Sequence, residues 1–455
     1  MTRSTGEYQA IDASFHHAAL NGLKTLKHDG TRPMVRARGL TMWDSDGNPY
    51  LDGISGRLCT QVGFARRELI EAAARQLELL SCANLFCPAF HPAVIALSER
   101  LLELLSERFS HVIYTNSGSE AHDVMIRTVR RYWAVAGKPD KTIFIARVNS
   151  SHGSTMGCTS PGRMGRMHEG DDMSMSGIVH IGEPWWFAHG RDLTPQAFGL
   201  DCARQLENQI LALGAHHVAA FIAEPFQGAG GVIMPPESYW PEIQRICRKY
   251  DVLLCADEVT SGLGRSGRWF AHQYFSFQPD TLTLAKGLTS GYFPMGGLVL
   301  SRNIAETLIG HEGLFARGLT CTAHPVAAAV ALANLDVLLD GGVVEQVRKD
   351  SGPYLQRCLR QACAEHPLVG EIQGVGMAAA LQLVEDKGLG KRFDNEADIV
   401  SECCGHVFDE GVILHVARGR LILAPALVAS HAEIDQLVEK TARALDFTGR
   451  RLGVL

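Results

Sequence analysis

Residues 252–258 read VLLCADE, and residues 281–287 read TLTLAKG. Each stretch is a short apolar run, the pattern of a strand that is buried on both faces of a sheet. The first run finishes on a carboxylate, Asp257, and the second finishes on an amine, Lys286. A charged residue after an apolar run is by default a solvated strand end, so the meaning of these two residues depends on the rest of the chain.

The rest of the chain alternates strand and helix patterns. Further strand candidates cover residues 111–114, 142–146, 218–223 and 297–300, and helical periodicity covers residues 68–80, 91–105, 121–132 and 326–339. Because helices separate most of the strands, the pattern predicts an α/β fold with a mostly parallel sheet covered on both faces. After Pro325 a long Ala/Val/Leu helix leads into helices and short strands, which predicts a domain boundary near residue 320.

Composition limits the possible functions. The chain has 455 residues, of which 46% are hydrophobic and 20% charged, as in an ordinary globular protein of two or more domains. A net charge of −6 gives no basic field, so we expect no nucleic acid partner. No apolar segment reaches the roughly 18 residues of a membrane span, and the first residues lack the apolar stretch of a signal peptide. The twelve cysteines form no C-x-x-C pair, and no cluster has metal-ligand spacing, so we expect a cytoplasmic protein without a metal.

A third segment changes the meaning of Asp257 and Lys286. Ser117, Gly118 and Ser119 join a predicted strand to an amphipathic helix. The free N–H groups at a helix start, with small hydroxyl residues, bind anions such as a phosphate ester. The alternative is a plain helix cap, because serine with a nearby glutamate is also capping chemistry. Together the three segments supply what pyridoxal phosphate requires: an amine to form a Schiff base with its aldehyde, a carboxylate to keep its pyridine nitrogen protonated, and a phosphate loop.

Asp257 is assigned to the pyridine nitrogen. Two opposite charges about 4 Å apart attract by about 4 kcal/mol at an effective dielectric constant of 20. One pKa unit corresponds to about 1.36 kcal/mol, so such a pair can raise a pyridinium pKa by up to roughly three units. Val259, two residues further on, would point the same way as Asp257 in a continuing strand and could pack on the ring. The alternative is that Asp257 caps a turn beside Glu258.

Other candidate residues carry weaker signals. Glu224 and Gln227 follow a predicted strand in a glycine-rich turn, and Gln227 could reach the phenolic oxygen of the cofactor. His152 could bring a polar group near the ring, although a lone histidine is more often a satisfied core residue. Residues 262–267, GLGRSG, satisfy the dinucleotide fingerprint. The acidic pair before them and the lack of a small-residue helix after them make a nicotinamide dehydrogenase a distant alternative.

Together these segments resemble the class III pyridoxal phosphate aminotransferases, also called ω-aminotransferases. The shared motifs are SGSEA at 117–121, EPFQG at 224–228, DEV at 257–259 with GLGR at 262–265, and KG at 286–287. Within the class, the chain is most similar to the amine–pyruvate and β-alanine–pyruvate group. That similarity rests on TNSGSE at 115–120, PWW at 184–186, YWPEI at 239–243 and KYDVLL at 249–254.

The resemblance implies fold type I, with a large cofactor domain and a smaller α+β domain built from both chain ends. We expect the large domain at residues 61–320 and the small domain at residues 321–455, joined by the N-terminal segment 1–60. The resemblance also implies a homodimer, or a dimer of dimers, with active sites shared across the interface. Its substrates would be a small-molecule amine and a keto acid.

The family pattern also implies roles for individual residues. Gly118 and Ser119 would hold the phosphate, and Thr320 would reach the same phosphate across the subunit interface. Asp257 would pair with the pyridine nitrogen while Val259 packs on the ring. Lys286 would be both the Schiff-base residue and the proton carrier.

The substrate side departs from the family pattern. Ser151 stands where the family usually has a tyrosine that stacks on the cofactor. Leu58, preceded by Arg57, stands where amine–pyruvate enzymes carry a pocket tryptophan. His415 stands where they carry the mobile arginine that binds a substrate carboxylate, with Arg418 just beyond. These four positions from the two chain ends, Arg57, Leu58, His415 and Arg418, are our candidates for substrate binding.

Three classes of function follow. The first is pyridoxal phosphate-dependent transamination from a primary amine to a small keto acid, with pyruvate as the expected acceptor. The second is an ammonia-lyase, phospholyase, racemase or mutase on the same scaffold, acting on an anionic amine that Arg57 recognises through two parallel hydrogen bonds. Arg57 could instead extend into solvent or pair with a nearby acid. The third class, a non-catalytic binding or scaffold protein, would leave Lys286 and Asp257 without a role.

Overall fold

The structure is a computed structural model that describes residues 5–8, 32–83, 90–164, 175–311 and 318–455. The described strands, numbered along the chain, are β1 (Met34–Arg38), β2 (Thr41–Asp44), β3 (Pro49–Asp52), β4 (Phe109–Thr115), β5 (Ile143–Arg147), β6 (Ile178–Ile181), β7 (Val218–Ala223), β8 (Leu253–Asp257), β9 (Thr281–Leu284), β10 (Gly296–Ser301), β11 (Val369–Val375), β12 (Ala378–Leu383), β13 (Val412–Ile413), β14 (His415–Ala417) and β15 (Arg420–Leu423). The longer helices are α1 (Arg67–Leu79), α2 (Pro92–Glu103), α3 (Gly118–Val135), α4 (Pro195–Leu213), α5 (Tyr239–Lys249), α6 (Arg302–Ile309), α7 (Pro325–Asp340), α8 (Gly352–Cys363), α9 (Glu396–Asp409) and α10 (His431–Leu452). Short helical turns occupy Ser55–Leu58, Met156–Thr159, Trp186–His189, Ala271–Tyr274, Lys286–Leu288, Val343–Gln346 and Val347–Ser351.

A seven-stranded sheet in the order β4-β10-β9-β8-β7-β5-β6 lies at the centre of the larger part of the molecule. Strand β10 runs antiparallel to both of its neighbours, and the remaining pairs are parallel. The carboxyl ends of the other six strands therefore lie along one edge of the sheet. All residues of β7 and β9 are buried, as expected of strands covered on both faces. The predicted α/β fold with a mostly parallel sheet is confirmed.

Helices cover both faces of this sheet. On one face α4 packs against α5, and Trp240 of α5 stacks on Phe277 with ring centroids 4.0 Å apart. On the other face α3 buries Trp133, whose Nε1–H donates a hydrogen bond to the Ala219 carbonyl oxygen (2.9 Å). Each helix thus turns its apolar stripe towards the sheet, as its periodicity predicts.

The smaller part of the molecule contains two further sheets. Strands β11-β12-β15-β14 form one, and β1-β2-β3-β13 form the other. In the second sheet Leu51 of β3 pairs in parallel with Val412 of β13. Strands from opposite ends of the chain therefore join, which confirms a smaller domain built from both chain ends. The boundaries at residues 60 and 320 stay predictions. The long helix α7 contributes to the cores on both sides of the junction, Ala331 to one and Val330 to the other.

One segment differs from what the sequence suggests, and a second agrees with it. Strand β6 was not predicted, because its four residues include a histidine and are mostly half-buried, so they form no long apolar run. The glycine-rich segment 262–267 begins no helix. Its Arg265 is fully buried and donates hydrogen bonds to the Met377 carbonyl oxygen and to Ser55 Oγ. The segment is therefore a buried turn whose hydrogen bonds connect distant parts of the chain.

The described helices are short or polar relative to a membrane span. No single one of them is long and apolar enough to cross a membrane. Helix α7 and the helical stretch Val343–Cys363 reach that length and composition only as a pair, and the two are bent by 51°.

Candidate active site

The structure brings Asp257 and Lys286 to the same edge of the central sheet. Strands β8 and β9 are parallel neighbours, with Asp257 paired in register to Thr283. Lys286 follows three residues after Thr283, in the turn that leaves β9. A carboxylate and an amine thus stand at the carboxyl ends of adjacent buried strands, where α/β sheets bind their ligands.

Two histidines surround the Asp257 carboxylate, which is 3% exposed. His152 Nδ1 lies 2.7 Å from Asp257 Oδ2, and His122 Nε2 lies 3.1 Å from the same oxygen. The Val259 N–H donates a hydrogen bond to Asp257 Oδ1 (3.0 Å). Burial alone would raise the pKa of Asp257, but His122 and His152 lower it below its ordinary value. The carboxylate is therefore held ionised inside the protein.

The Lys286 amine is held by a threonine on the neighbouring strand end. Lys286 Nζ donates a hydrogen bond to Thr260 Oγ1 (3.2 Å). The lysine backbone has φ +35°, which is uncommon for a residue other than glycine and indicates local strain at the turn. A Cβ on Gly228 would lie 2.4 Å from Thr260 Cγ2, so the chain needs glycine there for this threonine to sit beside the amine.

The predicted phosphate loop forms the start of helix α3. Ser117 caps the helix by accepting a hydrogen bond from the Glu120 N–H (3.2 Å), so its hydroxyl does what the plain-cap alternative expects. Ser119 Oγ accepts a hydrogen bond from the Ser154 N–H (2.9 Å). A Cβ on Gly118 would lie 3.2 Å from the Val259 side chain, so the helix start lies directly over the end of β8.

Glu224, at the end of β7, ties two loops to this edge. Its Oε1 accepts from the Ser151 N–H (3.1 Å), and its Oε2 accepts from the Gly228 N–H (2.8 Å). Burial and the nearby Asp257 raise the pKa of Glu224 to about 7, against the opposing charge of Arg147. This carboxyl therefore holds its proton more readily than an ordinary glutamic acid.

Arg57 and His415 approach each other from opposite ends of the chain. Arg57 Nη2 lies 3.5 Å from His415 Nε2, and the arginine is exposed. Burial, followed by the charges of Arg57 and Lys286, lowers the pKa of His415 to about 4, so the imidazole is neutral at pH 7. Leu58 is 5% exposed and packs into a buried cluster with Phe226.

Arg418 has a carboxylate partner. Its Nη1 donates hydrogen bonds to both oxygens of the buried Glu183, one of them 2.6 Å long. Glu183 also accepts from Asn149 Nδ2 (2.9 Å), and the Arg418 guanidinium lies 5.0 Å from the Trp185 ring centroid. Arg418 thus joins the β14–β15 turn to the loops of the larger part.

Thr320, the predicted phosphate contact of a second subunit, is exposed on the surface of the chain.

His122 and Thr260 are site residues that the sequence analysis did not identify. His122 follows Gly118 by four residues, so both lie on the same face of α3. That spacing was a usable signal, but only the fold shows that this face meets β8. His122, His152 and Asp257 come from three separate elements, so their approach to within 4.8 Å could not be read from sequence spacing.

This set of groups fits pyridoxal phosphate, the cofactor that the sequence implies. An ionised carboxylate, an amine and a helix start with a serine hydroxyl match its ring nitrogen, aldehyde and phosphate. Two buried atoms beside them, His152 Nε2 and Gln227 Oε1, have no hydrogen-bond partner among the described residues. Gln227 Nε2 donates to the Val148 carbonyl oxygen (3.0 Å), so the free oxygen of this amide is the atom available to a bound molecule.

Comparison with known proteins agrees with this geometry. The model of the aminotransferase class-III family matches residues 26–445. The chain is 45% identical over 444 residues to a putrescine–pyruvate aminotransferase of Pseudomonas aeruginosa, covering 98% of this chain and 97% of that protein. It is 36% identical to a diaminobutyrate–2-oxoglutarate transaminase of Halomonas elongata, covering 91% and 90% of the two chains.

Solved structures give the same result. A thermostable (S)-enantioselective ω-transaminase from Thermomicrobium roseum superposes with a TM-score of 0.95 at 37% identity, covering 98% of this chain and 100% of the other. The ω-transaminase of Pseudomonas jessenii in complex with PMP superposes with a TM-score of 0.94 at 34% identity, covering 98% and 99%. The chain therefore belongs to the class III aminotransferases, pyridoxal phosphate-dependent enzymes of fold type I.

Proposed function

We propose that this aminotransferase moves an amino group from a primary amine, at a carbon distant from any carboxylate, to a small keto acid, with pyruvate as the acceptor. The observation that carries the proposal is that Asp257 and Lys286 stand at the carboxyl ends of the adjacent parallel strands β8 and β9. The 45% identity to a putrescine–pyruvate aminotransferase supports the choice of amine and acceptor.

The cofactor-binding residues follow from the donor set. When bound, pyridoxal phosphate supplies an aldehyde that takes up the amino group and a ring that accepts electrons. Gly118 and Ser119 hold its phosphate at the start of α3. Asp257 binds the ring nitrogen, Val259 packs on the ring, and Gln227 Oε1 reaches the phenolic oxygen through an intervening water that donates to both oxygens.

A second group of residues supports those contacts. His152 donates a hydrogen bond to Asp257 and fixes the carboxylate. Glu224 fixes the Ser151 loop through the Ser151 backbone N–H. Because serine replaces a large ring at position 151, one face of the cofactor is left with more space for substrate.

Lys286 has two roles in the proposed reaction. Its Nζ would hold the cofactor aldehyde between turnovers, and as a free amine during turnover it would take a proton from the substrate carbon and return one. Thr260 positions this amine through the hydrogen bond between Thr260 Oγ1 and Lys286 Nζ.

Arg57 is proposed as the group that binds the carboxylate of the acceptor or of an anionic amine. The other candidate, Arg418, already binds both oxygens of Glu183. A neutral His415 adds no competing charge beside Arg57 and can donate one hydrogen bond to the same anion. Leu58 supports the position of Arg57 from the core.

We also propose that the enzyme is a homodimer, or a dimer of dimers, with Thr320 completing the phosphate site of the neighbouring subunit. Thr320 is exposed in the single chain, as a residue that serves a second copy would be. Sedimentation of the purified protein at several concentrations should show a dimer or tetramer. A monomer that keeps tightly bound pyridoxal phosphate would contradict this.

The reaction is tested by a single half-reaction. Adding putrescine without a keto acid should convert the bound cofactor to its pyridoxamine form, seen as loss of the visible absorption band, and pyruvate should restore the band. Lys286→Ala should reduce the rate by about 10²–10⁴-fold or more while the far-ultraviolet circular dichroism is unchanged. Lys249→Ala, at a surface lysine paired with Glu207, is the matched control.

Each outcome has a defined meaning. If no amine produces the pyridoxamine form, transamination is wrong. Release of ammonia without any keto acid would instead favour an elimination reaction on the same scaffold.

A further inference from the structure

His122 is a buried histidine whose two ring nitrogens both face oxygen atoms. It lies on α3 and is 1% exposed. Its Nδ1 is 2.9 Å from the Gly118 carbonyl oxygen. Its Nε2 is 3.1 Å from Asp257 Oδ2 and 3.0 Å from Thr283 Oγ1.

These contacts determine how many protons the His122 imidazole carries. A carbonyl oxygen and a carboxylate oxygen only accept hydrogen bonds, whereas a neutral imidazole has one N–H donor. A neutral His122 would therefore direct one nitrogen lone pair at an oxygen about 3 Å away, at either Gly118 or Asp257. The doubly protonated ring has two N–H donors and satisfies both contacts. The Thr283 hydroxyl can donate or accept, so it is compatible with either form.

Resting on the proposed function, we propose that His122 is a positioning residue that is permanently protonated on both ring nitrogens. It shares Asp257 with the ring nitrogen of the cofactor and so makes that nitrogen easier to deprotonate. It acts through Asp257 and does not touch the substrate. In this arrangement the protonation state of the cofactor's ring nitrogen depends on His122 as well as on the Asp257 carboxylate.

The ionisable groups that face His122 agree with this charge. Burial would lower the pKa of His122, but the Asp257 carboxylate, the Gly118 carbonyl and Glu224 raise it above its ordinary value. The ring of His152 lies 5.1 Å from the ring of His122. Burial lowers the pKa of His152, with further contributions from His122 and Arg147, so His152 is neutral. Its Nε2 has no partner among the described residues, which is consistent with one N–H, directed at Asp257.

The consequence is that the negative charge of Asp257 is balanced by the positive charge of His122. An unshared Asp257 would stabilise a protonated ring nitrogen with its full charge. Two like charges about 6 Å apart repel by an amount that corresponds to about one to two pKa units at an effective dielectric constant of 20. An imidazolium on Asp257 would oppose a protonated ring nitrogen on the same carboxylate in this way. His122 therefore lowers the ring-nitrogen pKa by about that amount relative to an uncharged residue at the same position.

The first experiment measures the protonation of His122 in the holoenzyme. Protein labelled with ¹⁵N-histidine is examined by NMR between pH 6 and 8, and the His122 signals are assigned by their absence from His122→Gln. We expect both ring nitrogens to carry protons throughout this range. A single protonated nitrogen at pH 7 would overturn the proposal, whatever the activity of the enzyme.

The second experiment measures the ring nitrogen of the cofactor. His122→Gln keeps an N–H donor in the place of Nε2 but removes the charge. In holoenzyme prepared with pyridoxal phosphate labelled at its ring nitrogen, the ¹⁵N shift should titrate about one to two pKa units higher in His122→Gln than in the unmodified enzyme. An unchanged titration would overturn the proposal.

A matched control separates charge from general disturbance. His272 is also a buried histidine on a buried carboxylate, with its Nδ1 3.1 Å from Glu258 Oε1. His272→Asn should leave the ring-nitrogen titration unchanged. A shift as large in this control would show that the effect is not specific to His122 and would also overturn the proposal. A protein that fails to bind pyridoxal phosphate contradicts the proposed function instead, and the His122 ring signals remain measurable in it.

Discussion

At the scale of single residues, Arg57 differs from the other charged groups around the site. In the part of the chain that the structure describes, its guanidinium has no carboxylate within 4 Å, and its contact is His415 at 3.5 Å. An arginine that makes no ion pair within its own chain can bind a substrate carboxylate through two parallel hydrogen bonds, which a histidine cannot do. We therefore expect any selectivity for anionic substrates to depend on this residue.

Removing Arg57 should change substrate preference more than chemistry. A charged hydrogen bond of this kind contributes about 1.5–3 kcal/mol, or roughly ten- to a hundredfold in binding. Arg57→Ala should raise KM for pyruvate and for an anionic amine by that factor and should leave KM for a neutral monoamine nearly unchanged. Steady-state kinetics with β-alanine and butylamine as donors provide the comparison. Equal effects on the two donors would remove Arg57 from substrate recognition.

Asp257→Asn tests the charge beside the ring nitrogen. Loss of an attraction of about 4 kcal/mol corresponds to a rate decrease of up to about 10³-fold in the proton-transfer step. The side chain keeps its shape, but the buried His122 loses its counter-charge, so the thermal midpoint should fall as well. Rapid-mixing measurement of the half-reaction gives the rate, and Asp251→Asn, at a surface acid paired with Lys138, is the control. An unchanged rate would assign Asp257 a structural role only.

The residues of the site differ in how far the sequence predicts them. Asp257 and Lys286 end apolar runs, so their position at a strand end follows from the local pattern alone. His122 and Thr260 could not be assigned, because their roles depend on which element packs against which. Leu58 is buried in a cluster with Phe226, and its place in the substrate pocket stays a prediction. The turn at Ser55–Leu58 that positions it has left-handed backbone angles, which no local pattern predicts.

At the scale of elements, the start of α3 packs closely against the residues that follow β8 and β9. A Cβ on Gly118 would lie 3.2 and 3.3 Å from the two methyl groups of Val259 and 3.4 Å from Ala285 Cβ. Gly118→Ala should force these groups apart at a cost of about 1–3 kcal/mol. Because Val259 and the helix start both contact the cofactor in the proposed site, the loss should appear mainly as weaker binding of pyridoxal phosphate.

The control for this helix is another helical glycine. Gly405 in α9 is exposed, and a Cβ added to it would meet no neighbouring atom within 4 Å. Gly405→Ala should stabilise the protein by up to about 1 kcal/mol through helix propensity alone. Cofactor affinity is measured by equilibrium dialysis and stability by urea denaturation. Equal cofactor affinity in Gly118→Ala and the unmodified enzyme would show that the close packing of Gly118 against Val259 does not contribute to the site.

The elements themselves follow the sequence where burial is continuous. Strand β7 was predicted at its observed bounds, because all six of its residues are buried and apolar. Strand β6 was missed, because at the margin of the sheet its side chains are mostly half-buried. The short strands β13 and β14 were not predicted individually, since two or three residues carry too little pattern and their pairing comes from distant parts of the chain.

At the scale of the whole molecule, Arg418 and Glu183 form an ion pair between the β14–β15 turn and the larger part. Glu183 is 3% exposed, so Arg418→Ala leaves a buried carboxylate without its main counter-charge. We expect the free energy of unfolding at pH 7 to fall by about 3 kcal/mol. Arg418→Ala combined with Glu183→Gln should recover part of this loss, because it removes the buried charge as well. Urea denaturation compares the three proteins.

The same pair gives a pH dependence with a defined sign. Burial alone would raise the pKa of Glu183, but His189, Arg418 and Asn149 together lower it below its ordinary value. A carboxyl with a lowered folded-state pKa stabilises the protein above its unfolded pKa of about 4.3, and the stabilisation is lost as pH falls through the folded pKa. Without Arg418, burial raises the folded-state pKa of Glu183, so the difference between the unmodified enzyme and Arg418→Ala should be largest at neutral pH and should shrink as the pH falls towards and below about pH 4.3. A difference that grows in acid would contradict this assignment.

The pairing of β3 with β13 has a consequence for biosynthesis. Leu51 of β3 is synthesised about 360 residues before its partner Val412. At about 5–20 residues per second, the ribosome needs roughly 20–70 seconds to deliver β13. During that interval Tyr50 and Leu51, which are buried in the finished protein, belong to an open sheet edge that can pair with another nascent chain. The yield of folded enzyme during overproduction should therefore depend on translation speed and chaperone supply, and lower growth temperature should favour it.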